Sequence, residues 1–222
     1  MNLGALQDVK KPNDWIARGF TPLPTNILQS DGNWEAYLPV VEFQNNGGYD
    51  RYACATYSYL NPLEILYLRL TGKEINFSDR FLAKASGTTK SGNYMYKVAE
   101  TARKIGLLLE SQYPDVNTDW DDYYKDIPEE LYTEALKFLD EWDLYHEWVE
   151  DTNEAIREAL REAPLQVYVR FASGDGILNP VGRRQHFVTL YAMTDAYEIF
   201  DHYTQSRKRY SLDYKFDSIL KP

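Results

Sequence analysis

Pro164 divides this chain into two textures. Before it, apolar residues recur mostly at helical spacing. After it, LQVYVRF, HFVTLYAM and YEIFDHY are rich in β-branched and aromatic residues. HFVTLYAM and YEIFDHY, joined by Thr194-Asp195-Ala196, read as a hairpin. SGDGILNPVG reads as the loop before them, and the tail RKRYSLDYKFDSIL adds one further strand. Helices gathered first and strands gathered last predict a segregated α+β fold.

Within the first half, residues 44–72 organise the rest. A Gly- and Asn-rich loop, QNNGGYDRYA, gives way at Cys54 to an amphipathic run that stops at Thr71-Gly72. EINFSDRFLAKASG predicts a second helix capped by Ser78, and YMYKVAETARKIG a third closed by Gly106. DVNTDWDDYYKDIP reads as a loop, and EELYTEALKFLDEWDLYHEWVED as one acidic helix with Leu131, Ala135, Phe138, Leu139 and Trp142 on its apolar face. NEAIREALREA, capped by Thr152 or Asn153, ends before Pro164. Residues 1–43 carry Pro12, Pro22, Pro24 and Pro39, which forbid a long helix and predict an extended strap over the surface, with an inhibitory prosegment as the alternative. The organisation expected is a single catalytic domain over 1–222: an arm (1–43), a mainly helical lobe (44–151) and a mainly β lobe (152–222).

With 222 residues, 44% of them hydrophobic, the chain can bury a substantial core. A formal net charge of −10 sets nucleic acid aside as a partner, because a phosphate backbone would be repelled. No stretch is long and apolar enough to span a bilayer, and MNLGALQDVKKPNDW has no core of signal-peptide length. One cysteine allows no internal disulfide and no multi-cysteine metal site, which leans towards the cytosol without fixing the compartment. Asp119, Asp121 and Asp122 lack the glycine and closing glutamate of a calcium loop, so no metal is expected there. Oligomeric state is open.

The chemistry centres on Cys54. A cysteine on the first turn of a helix lies at the positive end of the helix dipole, which favours the thiolate. Of the three histidines, His146 falls in the acidic helix, His186 opens a strand and His202 follows Asp201 at the end of the next. The hairpin should bring His186 beside Asp201. A thiolate next to an imidazole whose far nitrogen is fixed by an oxygen acceptor is a nucleophile with its base. Each residue alone has a plain alternative, a buried hydrophobe for Cys54 and an ordinary hydrogen bond for His186. Their joint order is what points to catalysis, and both partners follow Cys54 at the offset of about 130–150 residues seen in papain-type enzymes.

CATYSYLNPLEILYLRLTG resembles the nucleophile helix of the papain-like cysteine peptidases, and SGNYMYKVAETARKIGLLLESQYP their glycine-rich cleft wall and following helix. NEAIREALREAPLQVYVRF and HFVTLYAM…YEIFDHY resemble the helix and strands of the second lobe. The resemblance spans roughly residues 34–210 and rests on spacing more than on identities. It implies two lobes, the second β-barrel-like, with a cleft between them. It implies Cys54 as nucleophile, His186 as general base and acid, and Asp201 where the family usually has asparagine. It implies Gln44 in the place of the oxyanion-hole amide, and sets Tyr203 near the position of the family's shielding tryptophan. The resemblance further implies that Gly92, Asn93, Tyr94 and Met95 form the wall that receives substrate backbone and its hydrophobic side chain, and that Phe187 narrows the specificity pocket. The compact C-G-S-C-W signature is absent, Gln44 stands ten residues before Cys54, and Pro62 interrupts the nucleophile helix.

The reaction implied is hydrolysis of a peptide or isopeptide bond in a peptide or protein, with no cofactor. Two alternatives stay open: another thiol acyl transfer, transglutaminase-like or on muropeptides, and an inactive papain-like binding module.

Overall fold

The structure, a computed structural model, describes residues 3–9, 27–116, 118–203 and 205–222. Pro12, Pro22 and Pro24 of the expected strap lie outside the described residues.

Helix α1 (Cys54–Thr71) is the central element and ends on Gly72 in the left-handed conformation. It packs against α2 (Asp79–Ala85) and α3 (Met95–Ile105) on the helical side. Ser78 caps α2 by accepting the Phe81 N–H, and Gly106 closes α3 at φ +79°, where a Cβ would meet Ala135 O at 1.9 Å. Pro62 does not break α1. It removes the N–H that would bond Ser58 O, and the Thr189 hydroxyl donates to that carbonyl instead, at 3.4 Å.

The acidic block departs from the single helix expected. A short α4 (Trp120–Tyr123) is capped by Asp119. Then come α5 (Glu129–Leu136) and α6 (Phe138–Glu141), after which the chain straightens into β1 (Glu147–Trp148). His146 therefore lies on extended chain, its Nε2 3.5 Å from Glu100 Oε1. Trp148 and Val149 explain the change: both are buried, and β1 pairs with the last strand. Tertiary pairing has overridden the helical texture of the charges around them.

After α7 (Asn153–Leu160), capped by Thr152, come β2 (Leu165–Arg170), β3 (Ile177–Leu178), β4 (Gln185–Met193), β5 (Tyr197–Phe200), β6 (Arg207–Tyr210) and β7 (Ile219–Lys221). The sheet order is β1-β7-β2-β4-β5-β6-β3, antiparallel except where β3 runs parallel to β6. The tail thus supplies two strands rather than one, and β3 forms within the expected loop. The sheet is open, with β1 and β3 at its edges, and does not close into the expected barrel. Both faces of its centre are covered. Val167, Val169, Val188 and Leu190 pack with α7 and Trp34, whereas Tyr168 and Phe187 pack with α1 and α3.

A buried acidic group lies beside α1. Burial raises the Glu64 carboxyl to about 8, although its Oε1 accepts the Phe77 N–H at 2.9 Å. Burial likewise raises Glu110 to about 7. Asp79 is also raised, first by burial and then by the charges of Glu42 and Glu64. A carboxyl raised in the folded state stabilises fully below its unfolded value near 4.5, and loses that contribution as pH rises towards 8. Glu64→Gln keeps the acceptor and removes the ionisation. It is expected to match the parent near pH 4.5 and to exceed it at pH 8 by several kcal/mol, on the scale of about 1.4 kcal/mol per pH unit. Urea unfolding at the two pH values checks this, and an equal gap at both would refute it.

Candidate active site

Cys54 opens α1 with Ala53 at the cap position, and no side-chain cap occupies that end of the helix. The first turn is pinned to the sheet by Gln166 of β2, which donates to Ala55 O at 2.7 Å and to Ser58 Oγ at 2.8 Å. Ser58 Oγ in turn donates to Cys54 O at 2.6 Å. From β4, the Phe187 N–H points at the Cys54 sulfur, so His186 is the residue next to the one that holds the thiol.

The hairpin does bring His186 to Asp201: Nε2 lies 2.8 Å from Oδ1, and both side chains are buried. Nδ1 of His186 is buried with no hydrogen-bond partner. Burial disfavours the Asp201 carboxylate, but His186, His202 and Lys208 outweigh it and hold the carboxyl well below the ordinary range. Asp201 is therefore the acceptor, and Nε2–H donates to it. Tyr203 N–H also donates to Oδ1, at 3.1 Å. The Tyr203 ring stands edge-on to His186 at 5.0 Å between centroids, and its hydroxyl donates to Asp50.

His202 is held differently. Its ring stacks on Tyr57 at 5.2 Å and meets His186 edge-on at 4.9 Å. Burial, with the charges of His186 and Lys208 against it, pushes its pKa down to about 3, so the ring is neutral. Among the described residues, His186, Asp201 and His202 form one set whose ligand atoms lie within 4.8 Å of one another. The Lys208 ammonium, 2.5 Å from Asp201 Oδ2, already supplies a cation to that cluster.

Gln44 is brought to the same place despite its ten-residue separation from Cys54. Its N–H donates to His202 O at 3.0 Å, and its carbonyl accepts from Arg51 N–H and Nη1, each at 3.0 Å. The Gly47-Gly48 turn, both residues at positive φ, makes the closure possible. The Gln44 side-chain amide is fully buried beside the Tyr203 hydroxyl, with neither of its polar atoms in a well-formed hydrogen bond.

The electrostatics of Cys54 differ from the sequence expectation. Burial pushes the thiol up, the Phe187 and Ala55 N–H groups oppose this, and Asp50 and Asp201 add to it. The helix terminus does not overcome dehydration in this arrangement, and the thiol is neutral.

The chain's own N-terminal segment lies along the expected wall at Asn93 and Met95. Ala5 pairs with Asn93: Asn93 N–H donates to Gly4 O at 2.9 Å, and Leu6 N–H donates to Asn93 O at 3.0 Å. Asp8 accepts the Met95 N–H at 3.0 Å. The approach needs two glycines. A Cβ on Gly92 would meet Gly4 O at 1.8 Å, and one on Gly4 would meet Tyr52 O at 2.4 Å. Ala5 is buried in the same apolar cluster as Cys54, Met95 and Phe187. Of the expected wall, the Asn93 side chain is pinned to Ser86 and Thr88, while Tyr94 is 42% exposed.

Sequence reasoning missed Lys208, Gln166 and Asp50. Lys208 had one legible signal: in Arg207–Tyr210 it shares a face with Tyr210.

No protein-family model matches the chain, and no curated protein matches its sequence. Solved structures share its fold. Xylellain, a cysteine protease from Xylella fastidiosa, superposes with a TM-score of 0.73 at 14% identity, over 98% of this chain and 94% of that one. Bromelain from Ananas comosus, in complex with the E64 inhibitor, gives 0.63 at 16% identity over 86% and 96%. The ragweed pollen allergen Amb a 11, a cysteine protease in its proform, gives 0.66 at 14% identity over 86% of this chain and 65% of that one. The fold of this chain is that of the papain-like cysteine proteases.

Proposed function

We propose that the chain is a cysteine peptidase acting on peptide or isopeptide bonds through Cys54, His186 and Asp201. The observation that carries this is the division of the His186 ring: Nε2 is committed to Asp201, while Nδ1 is buried with no partner. That leaves Nδ1 to take the thiol proton. Cys54 sulfur attacks the carbonyl carbon, and the oxyanion is met by the Cys54 N–H and the Gln44 amide. His186 then gives its proton to the leaving amine, and water releases the acyl group from sulfur. The catalytic unit is read as 1–222, a helical lobe and a β lobe flanking the cleft, with the wall at Gly92, Asn93, Tyr94 and Met95 receiving substrate backbone. Phe187, packed edge-on to Tyr168 at 5.1 Å, is read as narrowing the side-chain pocket.

The test is incubation with a mixed peptide library in ¹⁸O water. New carboxyl termini carrying ¹⁸O, absent with Cys54→Ala, are expected. Amine release without ¹⁸O uptake would favour acyl transfer, and no turnover at all would favour a binding module. Gln44→Ala is expected to lower kcat by about 10²–10³, the effect of losing one oxyanion donor, with little change in KM.

A further inference from the structure

Asp201 does not serve His186 alone. Its Oδ1 lies 2.8 Å from His186 Nε2, and its Oδ2 lies 2.5 Å from Lys208 Nζ. Neither the lysine nor the carboxylate side chain reaches solvent to any useful extent, at 0% and 1% exposure. The ladder places the ammonium there. Lys208 opposes Ile199 in the β5–β6 pairing and turns inward, between two arginines that point away. The ammonium also lies over the Phe171 ring, 4.3 Å from its centroid. A lysine buried this fully needs a compensating charge, and Asp201 supplies it.

We propose that Lys208 is a positioning residue for the His186 chemistry: its ammonium balances the charge of Asp201, so that His186 meets an oriented acceptor of near-zero net charge. The proposal rests on the Cys54–His186 reading given above. A bare carboxylate beside the ring favours imidazolium and holds the proton that the leaving amine must receive. With the ammonium on Oδ2, Oδ1 still accepts from Nε2–H and fixes the tautomer, but the pair attracts the ring proton far less. The Asp201–Lys208 pair thereby does the electrostatic work of a neutral amide. The other titratable groups around the ring are Asp50 of the loop before α1, and His202 and Tyr203 after β5. Lys208 does not face the ring but bonds the acceptor itself.

The test is a pH titration of the histidine rings by long-range ¹H–¹⁵N NMR on the full chain, which needs neither substrate nor access to the site. Lys208→Met should move the His186 midpoint up by about one pH unit, and Asp201→Asn should move it down by a similar amount. The double variant should fall back towards the parent, and Lys208→Arg should stay near it. A merely structural role would lower stability without opposite shifts. Should Lys208→Met not fold, the double variant buries no unpaired charge, and its difference from Asp201→Asn isolates the ammonium. Unmoved midpoints, or shifts of one sign in both single variants, would overturn the proposal. Cys54→Ala separates it from the reading beneath: a His186 titration indifferent to the thiol would refute the Cys54–His186 pair itself, whatever the Lys208 variants do.

Discussion

His186→Ala is expected to reduce peptide hydrolysis by roughly three to four orders of magnitude while leaving the fold in place. General acid and base catalysis by a positioned imidazole is worth about 10²–10⁴ in rate, and the nucleophile is lost with its base. The fold should survive because Asp201 keeps its Lys208 partner at 2.5 Å and is not left as an unpaired buried charge. His202, with its pKa held at about 3, is the control. His202→Phe preserves a ring for the Tyr57 stack and should cost less than tenfold, because His202 bonds neither Asp201 nor any other described partner through its nitrogens. Steady-state kinetics with circular dichroism on both variants distinguishes the two histidines. Equal losses would mean that the rings contribute packing rather than proton transfer.

Removing residues 1–8 is expected to raise both turnover and the rate of Cys54 alkylation by iodoacetamide at least about tenfold. The Asn93 N–H and C=O, which the proposed reading offers to substrate backbone, are engaged by Gly4 and Leu6. Ala5 shares the apolar cluster that encloses the sulfur. Dehydration is the largest influence raising the thiol, so water reaching Cys54 should also lower the pH at which alkylation begins. A tenfold gain corresponds to about 1.4 kcal/mol of bias towards the closed arrangement, a modest amount for two backbone hydrogen bonds and one buried methyl. Alkylation rates against pH for the full and shortened chains provide the comparison. Unchanged rates would show that the segment does not gate the site.

The parts of the fold legible in the sequence were those with local physical causes. Ser78, Thr152, Gly72 and Gly106 mark helix ends because capping and left-handed backbone are properties of a few residues. The β4–β5 hairpin followed from alternation about a tight turn, and with it the His186–Asp201 contact. What failed was non-local. Residues 143–149 carry helix-like charge, but Trp148 and Val149 are buried against the last strand, 70 residues away in sequence. The seven-stranded sheet stays open because β3 and β1 end it, which no single segment announces. At the site, the helix dipole was legible and the dehydration that outweighs it was not, because Cys54 is buried in a cluster assembled from distant parts of the chain, Ala5, Met95, Tyr168 and Phe187 among them. Lys208 was hidden for the opposite reason: in RKRY it looks like one of three surface cations.

The most direct measurement is labelling with a thiol-directed epoxide inhibitor of cysteine peptidases, followed by mass mapping of the adduct in the parent and in His186→Ala. Stoichiometric modification of Cys54 in the parent, largely lost in the variant, is the result expected if the His186 imidazole activates the sulfur. Equal modification of the two proteins, or none in a parent whose first eight residues have been removed, would contradict it.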